Sequence, residues 1–392
     1  MYSNSSSSNS LRHCVKCGLP ETYETIEFDD QHVCNICRQH KYKKEEIDWA
    51  SRKGMLDDLI EEHRGKYDYD CIVPFSGGKD STFTLSYLVK EYKVKPLVVQ
   101  FNHGFLRPNL LENNERTFRK LGVDVISFRS NWKVVKRLMR ESLIRKGDFC
   151  WHCHTGIFSY PMHLAIKFNT PLVIWGEPSS EYTAYYNYQD DVIEEVNETR
   201  FNRYINLGIT AEDMRGMIEN DFDLDPRDLI PYTYPALRQL KQIRYRSVCL
   251  GSFIPWDTRR QSQLIMGELG WKGDEVEGMP PDLYSYEKIE CAMQGARDYV
   301  KYQKRGYGRV TQMTALDIRN GRMTKTEADD LVASYEGTKP PSLEVLLEYL
   351  DMSEDEFNAI VEKTIVPPYK PDFKVIHWGK CTHDFDQWYR EK

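Results

Sequence analysis

The chain has 392 residues, of which 40 % are hydrophobic and 12 % aromatic, and its formal net charge is -7. This length allows two or three domains with a sizeable core, and the negative charge disfavours nucleic acid as a partner. Because no apolar run approaches the roughly 20 residues that cross a bilayer and the N-terminus lacks the pattern of a secretory signal, we expect a cytoplasmic protein without a membrane span.

The N-terminal part of the chain contains four regularly spaced cysteines. The Ser- and Asn-rich residues 1–11 are too polar to fold alone and predict a disordered tail. Two Cys-x-x-Cys pairs follow, sixteen residues apart, and their spacing is typical of a tetrahedral zinc ribbon over residues 12–40. We therefore expect Zn²⁺ bound by four thiols: Cys14, Cys17, Cys34 and Cys37.

Next along the chain, residues 41–69 carry apolar side chains at helical spacing, which predicts a connecting helix. From residue 70 to residue 182, short buried strands alternate with amphipathic helices. This alternation predicts an α/β domain with a doubly wound parallel sheet whose ligands sit at the carboxyl ends of the strands.

The loop Ser76-Gly77-Gly78-Lys79-Asp80-Ser81 lies between the first strand and its helix. Two glycines let backbone amides approach a phosphate, and the helix dipole favours negative charge. The loop lacks Walker A spacing and is shorter, which favours a shorter group. We assign Lys79 and the hydroxyls of Ser76 and Ser81 to pyrophosphate oxygens, and Asp80 to Mg²⁺.

A third Cys-x-x-Cys, Cys150 to Cys153, opens an apolar stretch and has histidines beside it. These thiols could hold a second metal, zinc or an iron-sulfur cluster, or carry sulfur. They could equally be packed thiols at a helix start beside the nucleotide. The sequence leaves these alternatives open.

Residues 183–392 predict a mostly helical region that binds substrate or a partner. Aromatic residues beside Arg and Asp in this region suit stacking on a base or sugar and pairing with carboxylate or phosphate, although a polar helix surface explains them equally well. The candidate substrate residues are Trp256, Asp257, Arg259, Arg305 and Arg309.

The hexapeptide at residues 76–81 resembles the signature of the PP-loop ATP pyrophosphatases, and Gln100-Phe-Asn-His-Gly-Phe105 is similar to the end of their second strand. Trp175-Gly-Glu-Pro-Ser-Ser-Glu181 resembles the loops that face the nucleotide in that superfamily. The resemblance implies ATP cleavage between the α and β phosphates. It adds ATP-binding residues at Gln100, Phe101, Asn102, Gly176 and Glu181. Glu177 and Glu181 could also hold Mg²⁺, or could lie in a solvated loop.

Several longer segments make the resemblance more specific. Cys-Trp-His-Cys-His-Thr-Gly, Trp-Gly-Glu-Pro-Ser-Ser-Glu-Tyr and the segments 250–259, 286–294 and 301–309 are similar to the N-acetyl sugar amidotransferases of bacterial surface-glycan biosynthesis. This family implies conversion of an acetamido group on a nucleotide-activated sugar, such as a UDP-diacetamido uronic acid, to an acetamidino group. Adenylation of the amide oxygen makes AMP the leaving group, and ammonia then attacks.

The sequence also bears on the source of the ammonia that the proposed amidino group requires. No Cys of the chain lies in the kind of sharp turn that exposes the nucleophile of a glutaminase, and the N-terminal residue is not Cys. We therefore expect ammonia to come from elsewhere. The resemblance implies a partner glutaminase with a cyclase-like barrel. A tRNA-thiolating enzyme and a non-catalytic zinc-ribbon scaffold are the alternatives; the net charge disfavours the first and the intact loop the second.

Overall fold

The computed structural model describes residues 11–181, 197–219 and 224–371. Of the predicted disordered tail, only Leu11 belongs to these residues. No helix in the described ranges is both long and apolar enough to cross a bilayer.

A five-stranded parallel sheet forms the centre of the protein, with the strand order β3-β2-β1-β4-β5. The chain therefore builds outward from β1 in one direction and then returns to add β4 on its other side. The fold class predicted from the sequence is confirmed. The strands are β1 (Cys71–Pro74), β2 (Pro96–Asn102), β3 (Asp124–Arg129), β4 (Leu172–Trp175) and β5 (Arg246–Cys249).

Helices cover both faces of the sheet, which explains why its central strands read as continuous apolar runs. Successive side chains of a strand point to opposite faces. Val73 and Ile174 accordingly join a core that includes residues of the helices Trp49–His63, Lys79–Tyr92 and Thr258–Leu269. Their neighbours Ile72 and Val173 join a second core on the other face, with the helix Trp151–Lys167.

The α-helices of four or more residues are numbered here in chain order. They are α1 (Asn35–Glu45), α2 (Trp49–His63), α3 (Lys79–Tyr92), α4 (Pro108–Leu121), α5 (Trp132–Lys146), α6 (Trp151–Lys167), α7 (Ala211–Ile218), α8 (Leu237–Gln242), α9 (Thr258–Leu269), α10 (Pro281–Tyr284), α11 (Gln294–Arg305), α12 (Arg309–Arg319), α13 (Lys325–Tyr335), α14 (Ser342–Leu350) and α15 (Glu354–Glu362).

Two elements differ from the boundaries predicted from the sequence. The sheet takes its fifth strand from residues 246–249, beyond the 70–182 range of the predicted nucleotide domain. The single connecting helix expected over residues 41–69 is two helices, because α1 starts inside the ribbon, capped by the Cys34 side chain, and α2 starts at its own cap, Asp48. Asp48 accepts a hydrogen bond from the amide of Ser51, which satisfies a free donor of the new helix.

The N-terminal ribbon packs on the C-terminal helices rather than standing apart. The Tyr23 and Tyr307 rings lie 5.0 Å apart, and Gln312 donates a hydrogen bond to the Tyr23 hydroxyl at 3.1 Å. Arg305, at the end of α11, donates to the carbonyl of Thr22 at 2.7 Å. The first and last parts of the described chain therefore share one core, and they bring ribbon residues close to α11 and α12.

Candidate nucleotide site and metal centre

The loop of residues 76–81 lies where the strand order reverses, at the carboxyl ends of β1 and β4. Ligands of open parallel sheets bind in this position. Gly176, which directly follows β4, packs against the backbone of α3 near Asp80, where a side chain would have too little room. The close approach of these two segments forms one wall of the site.

The loop amides point inward and converge on two hydroxyls. Ser76 and Gly77 donate their N–H groups to the Ser81 Oγ at 3.2 and 3.1 Å, and Gly78 donates to the Ser76 Oγ at 3.3 Å. Gly77 has a φ of 89°, which glycine adopts without strain. The first residue before α3, Gly78, provides no side-chain cap. The positive end of α3 therefore favours an anion at this loop, while the three amides donate to the hydroxyls of Ser76 and Ser81.

Lys79 and Asp80 form a buried ion pair, with Lys79 Nζ 2.7 Å from Asp80 Oδ2. A second carboxylate, Glu287, also lies 2.7 Å from Lys79 Nζ. Burial alone would raise the pKa of Glu287, but the charges of Lys79, Lys288 and Arg309 outweigh it and hold that pKa at about 2. Lys79 is therefore fixed behind Asp80 and is not among the side chains that line the adjoining cavity.

A cavity of about 270 Å³ opens beside the loop. Ser76, Ser81 and Asp80 line it, together with residues from several other parts of the chain. The Oδ1 atom of Asp80 is buried and has no hydrogen-bond partner among the described residues. A buried, unpaired carboxylate oxygen beside an anion cradle has the chemistry that Mg²⁺ prefers, so the residues present fit a magnesium nucleotide.

Glu177, just after β4, lines the same cavity opposite the loop. Burial, reinforced by the negative charge of Asp80, raises the pKa of Glu177 to about 7. Two carboxyl groups that disfavour each other's ionisation are stabilised by a shared cation, which agrees with the proposal that Glu177 is a magnesium ligand.

Of the three residues predicted from the second strand, one lines the cavity and two do not. Phe101 lines the cavity and its ring packs over Gly156 of α6. The side chain of Gln100 instead accepts a hydrogen bond from Ser127 of β3 at 3.2 Å, and Asn102 accepts one from the amide of Gly104 at 2.9 Å. The side chains of Gln100 and Asn102 are therefore hydrogen-bonded to β3 and to the turn after β2. Only the backbone of these two positions remains a candidate for contact with a nucleotide.

Glu181 lies away from the cavity. The turn Ser179–Glu181 carries its carboxylate to Lys43 of α1, with which it forms a buried ion pair. Lys43 also donates to the carbonyl of Trp256 at 2.7 Å. The structure therefore places Glu181 in the contact between α1 and the sheet domain and not with the loop of residues 76–81.

Cys150 and Cys153 line the cavity, and Cys291 from the C-terminal part joins them. Burial raises the pKa of Cys153 and keeps that thiol protonated, with a further rise from the charge of Cys291. Within the described ranges, these thiols do not belong to a set of three or more closely spaced His, Cys, Asp or Glu ligands. The geometry fits packed or substrate-lining thiols.

The four cysteines of the ribbon do form such a set. Their sulfur atoms all lie within 4.8 Å of one another, with Cys14 to Cys37 at 3.9 Å and Cys17 to Cys34 at 3.7 Å. Tetrahedral zinc with Zn–S bonds of about 2.3 Å needs sulfurs roughly 3.8 Å apart, so the spacing fits a metal such as zinc. Hydrogen bonds from the other three thiols lower the pKa of Cys14.

The candidate substrate residues fall in two places. Trp256 is buried, and Asp257 caps α9 and pairs with Arg322, both at the wall of a separate cavity. Arg259 lies in the first turn of α9 and is half-buried. Arg305 and Arg309 line instead a smaller cavity beside α11, and Arg309 is 3.6 Å from Glu287, the carboxylate that pairs with Lys79.

Several residues that line the cavity were not predicted as site residues. They come from the segment before and at the start of α11: Lys288, Glu290, Cys291, Met293, Gln294 and Arg297. The carboxylate of Glu290 lies directly over Gly78, where any side chain at that position would clash with it. The cluster of charged residues at 286–294 was visible in the sequence, but no pattern in it indicated which side chains would reach the loop of residues 76–81.

Comparison with known proteins connects this segment to a family. Residues 284–380 match the model of the family described as "LPS biosynthesis protein WbpG-like, C-terminal domain". An uncharacterized protein of Methanocaldococcus jannaschii, MJ1599, is 24% identical over 148 residues, which cover 36% of this chain and 50% of that protein. The chain thus spans about half the length of this curated relative.

Two solved structures are also similar. The U34-tRNA thiolase NcsA from Methanococcus maripaludis, solved with its 4Fe-4S cluster, aligns with 13% identity and a TM-score of 0.31 over 88% of this chain and 91% of that one. The NMN synthetase of Francisella tularensis aligns with 9% identity and a TM-score of 0.29 over 84% and 100%.

Proposed function

We propose that this chain is an ATP-dependent amidotransferase of surface-glycan biosynthesis, a proposal supported by the match of residues 284–380 to the model of the WbpG-like C-terminal domain family. It converts an acetamido group of a nucleotide-activated sugar, a UDP-diacetamido uronic acid, to an acetamidino group, and it forms AMP and pyrophosphate. The observation that carries the proposal is the shared cavity. It is lined both by the loop of residues 76–81, called the ATP loop below, and by residues 288–297 of the segment that matches the family model.

The proposed reaction has two steps. The amide oxygen of the acetamido group attacks the α-phosphorus of ATP, the bond to the bridging oxygen of the β-phosphate breaks, and pyrophosphate leaves. Ammonia then attacks the imidate carbon and loses a proton, and AMP departs with the former amide oxygen. Activation is required because an amide carbonyl is a poor electrophile and has no good leaving group of its own.

The loop residues suit the first step. The amides of residues 76–78 and the free end of α3 stabilise the charge that develops on pyrophosphate. Lys79 holds the carboxylate of Asp80 in place through their ion pair and adds positive charge behind the loop. Asp80 and Glu177 would hold Mg²⁺, which supplies further charge neutralisation when bound.

The ribbon suits a structural role. Its four thiols fill a tetrahedral zinc site and leave no position open for a substrate, and its aromatic residues pack on α12. Zinc would hold the segment of residues 12–40 against the helices that carry Arg305 and Arg309.

Ammonia would come from a separate glutaminase with a cyclase-like barrel partner. The thiols of the buried Cys150 and the half-buried Cys153 have pKa values raised by their removal from solvent, which disfavours the thiolate that a glutaminase nucleophile requires. This observation supports an external nitrogen source.

A second candidate function, tRNA thiolation, is favoured by one observation. Cys150, Cys153 and Cys291 line the same cavity as the ATP loop, where they could carry sulfur to an adenylated base. The protonated state that burial imposes on Cys153 and the net charge of -7 count against it.

A direct test supplies the purified chain with ATP, ammonium at alkaline pH and a panel of UDP-N-acetyl sugars. We expect AMP and pyrophosphate to form only with the accepted sugar, and mass spectrometry to show that one oxygen of the sugar is replaced by NH. A chain that releases pyrophosphate with unmodified tRNA, and with none of the sugars, would favour the second candidate and contradict the first.

A further inference from the structure

A smaller cavity of about 90 Å³ lies next to the nucleotide cavity, and we call it the basic cavity. It is bounded by α11, by residues 147–149 between α5 and α6, by Glu24 of the ribbon and by Arg309 at the start of α12. Phe149 and Arg297 line both cavities, so the two share part of their walls. A ligand long enough to enter both would place one of its ends beside the ATP loop.

Positive charge dominates the lining of this cavity. Five cations face three carboxylates, so the formal charge of its walls is five minus three, or +2. Four of the cations lie on one face of α11, because they recur at spacings of four, seven and eight residues. The cations are Arg297, Lys301, Lys304, Arg305 and Arg309, and the carboxylates are Glu24, Asp148 and Asp298.

Most contacts between these cations and carboxylates are long, and the shortest joins Arg309 to Asp298 at 3.3 Å. Lys301 and Arg305 lie 3.8 and 3.5 Å from Glu24, and Arg297 lies 3.9 Å from Asp148. Charge-assisted hydrogen bonds are shorter, at about 2.7–2.9 Å. Burial outweighs the opposing charge of Glu24 and lowers the pKa of Lys301 to about 8, with further lowering by the charges of Arg309 and Arg297.

We infer that the basic cavity binds an oxyanion of the acceptor, the diphosphate or the carboxylate of a nucleotide-activated sugar acid. Its volume of about 90 Å³ suits a phosphate or carboxylate group but not a whole nucleotide. That the oxyanion belongs to the acceptor sugar rests on the proposed function; that the cavity binds an oxyanion does not.

The test uses the full chain with its nucleotide cavity filled by α,β-methylene-ATP and Mg²⁺, and titrates UDP and glucuronate separately by calorimetry. UDP binding identifies the diphosphate as the ligand group, and glucuronate binding identifies the carboxylate. Lys301→Gln should lower the affinity for the probe that binds about tenfold, since it removes one charge-assisted contact. The matched control Lys325→Gln, on the exposed start of α13, should leave it unchanged.

A second variant guards against loss of binding through misfolding. Glu24→Gln leaves Lys301 and Arg305 without their carboxylate and should strengthen binding of the same probe several-fold, a gain that unfolding cannot produce. The inference is overturned when neither probe binds, or when Lys301→Gln binds as tightly as the wild type. If the ATP analogue itself fails to bind while both variants still change the affinity for UDP, the proposed function fails and the oxyanion site stands.

The pH dependence gives an independent check. Lys301 faces charged or titratable groups of the ribbon, of α11, of α12 and of the turn between these two helices: Glu24, Tyr23, Arg297, Asp298, Tyr307 and Arg309. Because its pKa in the free protein is about 8, affinity for the probe should fall as the pH rises through 8. In Lys301→Gln the affinity should change little over that range, and an identical decline in both proteins would contradict the assignment.

Discussion

Replacing Lys79 by Ala tests the buried charge cluster beneath the ATP loop. The ammonium of Lys79 lies 2.7 Å from both Asp80 and Glu287, and the side chain of Lys79 is only 2 % exposed. Its removal leaves two buried carboxylates without their shared cation. Breaking a buried pair in this way costs about 3–5 kcal/mol.

A second estimate comes from Glu287. Its pKa falls from 4.5 to about 2 against the opposing effect of burial, because Lys79, Lys288 and Arg309 together favour the charged form. That difference corresponds to about 3 kcal/mol of the free energy of unfolding, shared among three cations. Because the folded pKa is depressed, this stability is present above pH 4.5 and is lost as the pH falls toward 2.

Urea unfolding followed by tryptophan fluorescence measures the effect near neutral pH, and Trp271, which donates to the carbonyl of Gly77 at 3.1 Å, reports on the loop. We expect Lys79→Ala to lose about 3 kcal/mol and Lys79→Ala/Glu287→Gln to regain roughly 1–2 kcal/mol of it. Lys90→Ala, in the same helix as Lys79, is the control, since the exposed pair that Lys90 forms with Glu268 of α9 contributes below about 1 kcal/mol. A Lys79→Ala chain as stable as Lys90→Ala, or no recovery in the double variant, would refute the reasoning.

Four further outcomes are expected. Asp80→Ala should lower pyrophosphate release by at least about 100-fold, and an unchanged rate would remove Asp80 from the site. Cys14→Ser should lose about one zinc per chain in metal analysis while the control Cys71→Ser keeps it; equal zinc in both would contradict the ribbon site. Cys153→Ser should still form the amidine from ammonium, and its inactivity would favour sulfur or metal chemistry instead. The wild-type chain should use ammonium but not glutamine until the glutaminase and its barrel partner are added, so glutamine-driven turnover by the pure chain would reveal a missed nucleophile.

The local patterns of the sequence were sufficient for the sheet and for the group of four thiols. Alternation of strands and helices predicted the parallel sheet, and the ribbon spacing predicted the group of four thiols, because both depend on residues close together in the chain. The strand of residues 246–249 was missed because four residues after an Arg- and Tyr-rich stretch carry almost no periodic signal.

Pairings between distant residues could not be predicted. Glu181 was expected at the nucleotide, yet it pairs with Lys43, 138 residues earlier in the chain. Glu287 lies far from Lys79 in sequence and still holds its ammonium in the folded chain. Such contacts are set by how the C-terminal helices pack on the sheet, and the spacing of charges within one segment contains no information about that packing.

Transfer of oxygen from the acceptor to AMP tests the central claim most directly. The accepted sugar would be prepared with ¹⁸O in its acetamido group and incubated with the chain, ATP and ammonium. Adenylation of the amide oxygen predicts that the label is recovered in the phosphate of AMP, with one ¹⁸O for each acetamidino group formed. AMP without label, accompanied by sugar that keeps its labelled acetamido oxygen, would contradict the proposed reaction.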